Sequence, residues 1–194
     1  RSNIKVETNN HKIIGITGQS GKGKSTFTKL LLKLYKVDSG KILIDNQNIE
    51  HIDPDYLRTH ITYINQNSRL FDKTVLENIL YGCKDEDICK EYYKQILQYP
   101  KIKELYQNVK LEDDLAGYSG EKISGGQRQI ANIISGLANP SKILILDEPT
   151  NALDKELKME LLEIIRVFKQ HKQCIFIITH DKDVYPLFDE QLKL

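Results

Sequence analysis

Charge of one sign is missing from this sequence. Its 194 residues carry 28 Lys and Arg against 27 Asp and Glu, a net charge of +1, so no global field draws the chain to DNA, RNA or an anionic membrane. Cysteine is scarce: Cys83, Cys89 and Cys174 show no Cys-x-x-Cys spacing and leave one unmatched. That argues against a disulfide framework and for a reducing compartment, with all three serving as small hydrophobes. Long apolar runs are missing too. The longest, such as Ile143 to Leu146 and Ile175 to Ile178, are strand-sized and fall far short of the ~18 residues of a membrane span. No secretory leader is recognisable. If the protein works at a membrane, another segment is expected to cross it. Internal repeats and low-complexity tails are absent as well.

What is present suits a globular fold. The chain is 40% hydrophobic and 28% charged, ordinary proportions for one well-packed domain of this length. Ile4 to Glu7 alternates apolar and charged residues, and Lys12 to Thr17 reads as a buried strand ended by Gly18. From Ser25 to Lys36, Phe27, Leu30, Leu31 and Leu34 follow the helical period until Asp38-Ser39-Gly40 stops it. Lys41 to Asp45 and Ile61 to Ile64 read as strands. A charged stretch from about 85 to 115 suggests helices interrupted at Pro100. Then come a helix over Gly126 to Leu137, a strand at Lys142 to Leu146, a helix at Lys155 to Gln170 and a strand at Cys174 to Thr179. Strands alternating with such helices predict an α/β fold whose mostly parallel sheet is covered on both faces. Asp189 to Leu194 resembles the start of a strand that needs a neighbour, and the chain reads as cut at both ends.

Gly18-Gln19-Ser20-Gly21-Lys22-Gly23-Lys24-Ser25 fits the eight-position P-loop pattern, extended by Thr26. It sits between a buried strand and a helix, where curled backbone N–H groups and the helix N-terminus favour phosphate. Lys24 is expected to reach the β- and γ-phosphates, Ser25 to ligate Mg²⁺ and Thr26 to touch the α-phosphate. Lys22 reads as a solvated loop lysine or an extra phosphate contact. No Asn-Lys-x-Asp guanine reader is present, which counts against a GTPase. Asp147-Glu148 ends a buried strand, where ligands sit in open α/β sheets. Asp147 is expected to hold Mg²⁺ through water, and Glu148, facing the other way, to act as general base. Ser124-Gly125-Gly126-Gln127 opens another helix with a second anion-binding geometry. One nucleotide does not need both helix ends. A head-to-tail dimer, each nucleotide sandwiched between one subunit's P-loop and its partner's serine loop, would use both.

Gly18 to Thr26, Gln66, Ile123 to Gln127, Leu146 to Glu148, Asn151 to Asp154 and His180 stand in the order and spacing of an ABC ATPase. They resemble the Walker A loop, Q-loop, signature, Walker B, D-loop and H-loop, and the resemblance covers nearly the whole chain. It implies a P-loop NTPase core at about 1–84 and 138–194 with an inserted helical subdomain at about 85–137. It also implies ATP and Mg²⁺ as ligands, Gln66 coupling the Mg²⁺ and water site to a partner, His180 on the γ-phosphate and holding Glu148, and Asp154 bridging to a second ABC ATPase domain. Ile123 replaces the common leucine, a mild change, and Asn151 stands where serine is common in the D-loop. Gly117-Tyr118-Ser119-Gly120 lacks the glutamate and arginine of the exporter loop, and no adenine-stacking aromatic stands before Ile4.

The segment Ser68-Arg69-Leu70-Phe71 with Thr74 to Gly82 is similar to the exporter segment where a membrane domain's coupling helix docks. Phe71 and Leu76 are candidate contacts there. The resemblance therefore implies the ATPase domain of an ABC exporter, with its transmembrane part on the same polypeptide and this domain on the cytosolic or matrix-type reducing side. The competing expectation is a soluble ABC ATPase acting on nucleic acid or ribosomes, against which the near-neutral charge counts. No nucleic-acid partner is expected. Lys24→Ala is expected to remove nucleotide binding while leaving thermal unfolding nearly unchanged, because the ammonium serves phosphate. Calorimetric titration with ATP checks it, and wild-type affinity in the variant would refute the assignment.

Overall fold

Burial on both faces is what a central parallel strand demands, and the run Lys-Ile-Ile-Gly-Ile-Thr meets it. The protein's structure, a computed structural model, describes residues 4–6, 10–18, 23–44 and 46–193. Strand β1 (Ile4–Val6) and β2 (Lys12–Thr17) lead to helix α1 (Lys24–Leu31), followed by β3 (Ile42–Ile44), β4 (Gln47–Asn48), α2 (Pro54–His60) and β5 (Ile61–Ile64). Helices α3 (Val75–Ile79), α4 (Glu86–Ile96), α5 (Pro100–Leu105) and α6 (Gly125–Ala138) come next. Then follow β6 (Ile143–Asp147), α7 (Lys155–Phe168), β7 (Cys174–Ile178) and β8 (Glu190–Lys193). The chain divides into two compact units, one from 1–63, 141–145 and 169–194, the other from 64–140 and 146–168.

The first unit is built on a sheet of order β5-β6-β7-β2-β8. Strand β2 runs parallel to both β7 and β8, so the final strand finds its neighbour at the sheet edge. Every residue of β7 is buried, as are Ile13, Ile14 and Ile16 of β2. Such side chains contribute about 1.5–3 kcal/mol each when removed from water. On one face Ile14, Ile16, Ile143, Ile145, Phe176 and Ile178 pack against Phe27 and Leu31 of α1. The smaller sheet of this unit, β1-β3-β4, pairs β1 parallel and β4 antiparallel to β3. The mostly parallel α/β architecture is the one the alternating pattern predicts.

Helix α1 ends at Leu31, short of the Lys36 expected from periodicity. Lys33 turns left-handed at φ 56°, its N–H closing on the Leu30 carbonyl at 3.0 Å and the Leu34 N–H on Lys29 at 2.8 Å. Its ammonium then bonds the carbonyls of Glu50 and Ile52 at 2.9 and 2.7 Å. These bonds outweigh helical propensity, and Leu34 is left 59% exposed rather than in the core.

The second unit is helical apart from the ends of β5 and β6. Its hub is α6, which packs against α3, α4 and α5 and buries Ile130, Ile133, Ile134 and Leu137. Pro100 occupies the first turn of α5, where its missing N–H costs nothing. Asn78 of α3, almost fully buried, ties down the loop before its helix. It accepts from the Phe71 N–H at 2.8 Å and donates to the carbonyls of Phe71 at 3.1 Å and Thr74 at 2.9 Å. The expectation of three separate cysteines is corrected here. Cys83 and Cys89 are disulfide-bonded, with Cα atoms 6.6 Å apart. Gly82 at φ 74° and the Asp85 cap of α4 turn the chain back on itself, a proximity that residue spacing does not display. Cys174 stays outside the disulfide and is buried, as expected of a small hydrophobe.

Gly15 sits where β2 meets the chain returning to β8. A Cβ there would lie 2.1 Å from Cδ2 and Cε2 of the Phe188 ring, while the neighbouring Ile13 N–H and carbonyl both bond Asp189 at 2.8 Å and fix the approach. Gly15→Ala is therefore expected to lower unfolding free energy by about 1–3 kcal/mol. Chemical denaturation of wild type and variant measures it, and an unchanged midpoint would refute the packing account.

Candidate functional site

Parallel pairing sets the geometry of the first unit's site. Ile16 is in register with Ile178, and the Thr179 N–H continues the ladder to the Ile16 carbonyl at 3.2 Å. The chain leaving β2 at Thr17-Gly18 and the chain leaving β7 at Thr179-His180 thus emerge side by side. Gly23 caps α1 in the left-handed region at φ 98°, a conformation that favours glycine. Lys24 opens the helix, half-buried, and its ammonium donates to the Gly18 carbonyl at 2.8 Å. Thr26 lies exposed one residue beyond Ser25, beside a groove of about 590 Å³ that reaches Leu34 and Tyr35. Gln19, Ser20, Gly21 and Lys22 lie outside the described residues. His180 is exposed, and the following Asp181 N–H bonds the Thr179 hydroxyl at 3.0 Å.

The second unit brings Gln66 and Asp147 together. Both line one cavity of about 570 Å³, with Arg69, Ser119, Gly125 and Asn151 also on its wall. An amide and a carboxylate offer oxygen ligands of the kind Mg²⁺ takes, one or two protein groups beside phosphate and water. Among the described residues no group of three or more His, Cys, Asp or Glu is placed to hold a metal ion. Glu148 is buried, 7% exposed, at φ 50°. Gln129 holds the chain that leaves it, donating to the Glu148 and Pro149 carbonyls at 3.4 and 2.6 Å. Asp154 caps α7, accepting from the Leu157 N–H at 2.9 Å.

Ser124 caps α6 in a reciprocal box. Its hydroxyl accepts from the Gln127 N–H at 3.1 Å, and the Gln127 side chain accepts from the Ser124 N–H at 2.8 Å. Gly125 and Gly126 form the first helical turn. The preceding loop is held by Arg128, whose guanidinium donates to the Ser119 and Gly120 carbonyls at 3.3 and 3.4 Å. Gly120 turns at φ 82°, and a Cβ there would meet Arg128 Cδ at 2.8 Å. Tyr118 projects from this loop, 72% exposed.

Motif reading missed Arg128, Gln129 and Asn132, which line the cavity with Gly125. Their signal was legible: positions 125, 128, 129 and 132 form a polar stripe at helical spacing on an otherwise apolar helix. Asn132 uses that face to donate to the Ser68 carbonyl at 3.1 Å.

With these elements in place, comparison with known proteins identifies the class: the ABC transporter family model matches residues 1–151, and the chain belongs to that family. Among individual proteins it is 38% identical over 171 residues to a putative export ATP-binding/permease protein of Rickettsia typhi, covering 85% of this chain and 28% of that one. It is 37% identical over 172 residues to an ATP-dependent lipid A-core flippase of Methylococcus capsulatus, covering 87% and 28%. With the ABC transporter ATM1 of Plasmodium falciparum it shares 38% over 185 residues, covering 92% and 17%. The solved structure of a bacterial Atm1-family ABC exporter with ATP bound superposes with TM-score 0.84 at 30% identity, covering 95% of this chain and 32% of that one. The chain thus spans less than a third of the length of these relatives.

The Ser124 box makes a local test. Ser124→Ala is expected to cost about 1 kcal/mol of unfolding free energy, the usual price of a lost cap, whereas Ser124→Thr should retain most of it. Urea titrations of the two variants check this, and equal losses would refute the hydroxyl's capping role.

Proposed function

We propose that this chain is the ATP-binding and ATP-hydrolysing domain of an ABC exporter, working in membrane association through a transmembrane part on the same polypeptide. The observation that carries the reading is the set of motif residues at strand ends and helix starts suited to phosphate, in a chain similar to export ATP-binding/permease proteins. Support for a membrane part comes from the relatives, whose names join export ATP-binding and permease in one protein of which this chain covers 28%; no helix among the described residues is long and apolar enough to cross a bilayer. We assign the domain to the cytosolic or matrix-type side on the exporter reading alone, since the Cys83–Cys89 disulfide removes the cysteine argument for it.

Each residue then has a task. Backbone N–H groups of the loop from Gly18 to Thr26 cradle the phosphates, and the Lys24 ammonium balances charge on the β- and γ-groups. Ser25, Gln66 and Asp147 would hold Mg²⁺, which when bound neutralises charge on the β- and γ-oxygens. Glu148 takes the proton of the attacking water, and His180 serves the γ-phosphate and orients Glu148. Ser124, Gly125, Gly126 and Gln127 present the N-terminus of α6 to the partner domain's nucleotide, and Asp154 contacts that partner. The working unit is an ATP-dependent dimer of two such domains.

Glu148→Gln tests the assignment. The amide fits the same left-handed backbone and buried volume but accepts no proton. Hydrolysis by the full-length protein is expected to fall ~10²–10⁴-fold while an ATP-bound dimer accumulates on size-exclusion chromatography, absent with ADP. Adding Ser124→Arg should abolish that dimer. Near-normal hydrolysis by Glu148→Gln at saturating ATP would sink the general-base role.

A further inference from the structure

The side chain of Gln127 is engaged at both ends. While its oxygen serves the Ser124 N–H, its amide nitrogen donates to the Leu105 carbonyl at 2.8 Å, and the buried Tyr106 hydroxyl donates to the Gln127 carbonyl. The C-terminal end of α5 therefore carries the N-terminus of α6. At its other end α5 lacks a side-chain cap of its own at Tyr99. The Glu160 carboxylate of α7 supplies one, a single oxygen accepting from the Lys101 and Ile102 N–H groups at 2.7 and 2.9 Å. Lys101 adds a second tie to α7, its ammonium 2.6 Å from Glu156 and 3.0 Å from Glu104. Glu156 and Glu160 stand one turn apart on the helix that Asp154 caps.

We propose that α5 is a strut joining the serine loop at the start of α6 to the aspartate loop at the start of α7, with Glu160, Lys101 and Gln127 as positioning residues for Ser124 and Asp154. The short helix spans only about 9 Å at 1.5 Å per residue, and hydrogen bonds, not side-chain packing alone, fasten both its ends. Under the dimer reading above, on which this role rests, both loops face the partner domain. A phosphate seated at Ser124 then pre-orders Asp154, and a partner seated at Asp154 pre-orders Ser124, because ordering one end reduces the conformational entropy left to lose at the other. No nucleotide contact is assigned to Glu160 or Lys101; they act through the helix they hold.

Peptide-resolved hydrogen exchange on the nucleotide-free full-length protein tests the strut. Glu160→Ala is expected to speed exchange of segments 124–128 and 155–158 about tenfold, with β2 and β7 unchanged. Glu160→Gln keeps an oxygen acceptor and should restore near-wild-type exchange. In turnover assays Glu160→Ala should lower kcat about tenfold, with nucleotide binding at Lys24 unaltered and Glu160→Gln again rescuing. Unchanged exchange at 124–128 in Glu160→Ala, or a Glu160→Gln as fast as Glu160→Ala, overturns the proposal. Should Glu160→Ala fail to fold, Lys101→Met, at an outward-facing ammonium, is expected to speed the same segments about threefold, and no change there overturns it equally. Separately, a Ser124→Arg protein with wild-type hydrolysis would defeat the dimer reading, while the exchange result still decides the strut.

Discussion

The fold hangs on the parallel pairing of β2 with β7. Both strands are buried on both faces, so their apolar side chains are satisfied only in one register, with Phe27 and Leu31 of α1 packed on one face. A slip of one residue would turn Ile14 and Ile16 away from Phe27 and Phe176 and reverse which side chains meet α1. The same register decides where the chain leaves the sheet. Gly18 and His180 leave the sheet side by side because Ile16 and Ile178 are partners, and the placement of both exits is a consequence of core packing several residues away.

The helical unit solves a different problem with one element. Helix α6 buries an apolar face and turns a polar stripe toward the cavity that holds Gln66 and Asp147. Arg128 and Gln129 are adjacent in sequence but hold different loops, one before the helix and one after β6. Rigidity of a packed helix thereby passes to two loops that have little hydrophobic area of their own. Loops carrying function on a rigid support are the common arrangement.

Strands and long helices were legible because burial writes itself as periodicity: Lys12–Thr17 and the breaks around Pro100 follow from local pattern. Helices α2 and α3, of seven and five residues, are too short to show a period. The early end of α1 depends on where the Lys33 ammonium finds carbonyls at 50 and 52, which no local pattern encodes. The disulfide eluded spacing rules because a turn at Gly82, not a motif, brings its cysteines together. Site residues fared similarly. Gln66, Asp147 and Ser124 stand in recognisable motifs, whereas Glu160 is an ordinary helical glutamate until its oxygen is seen under the start of α5.

Two non-glycine residues of the segment after β6 hold left-handed backbone, Glu148 at 50° and Ala152 at 63°, each at a cost of about 1–2 kcal/mol relative to right-handed conformations. Glycine would adopt either turn without that penalty. A chain under selection for folding alone would drift toward glycine at both addresses, gaining ease of turning while losing the carboxylate at one and stiffness at the other. Under the general-base proposal, glutamate at 148 exchanges stability for chemistry, a local instance of the trade between robustness and activity at working sites. On that proposal, variants stabilised by glycine at 148 would be sluggish, and those stabilised in the β2–β7 layer would not.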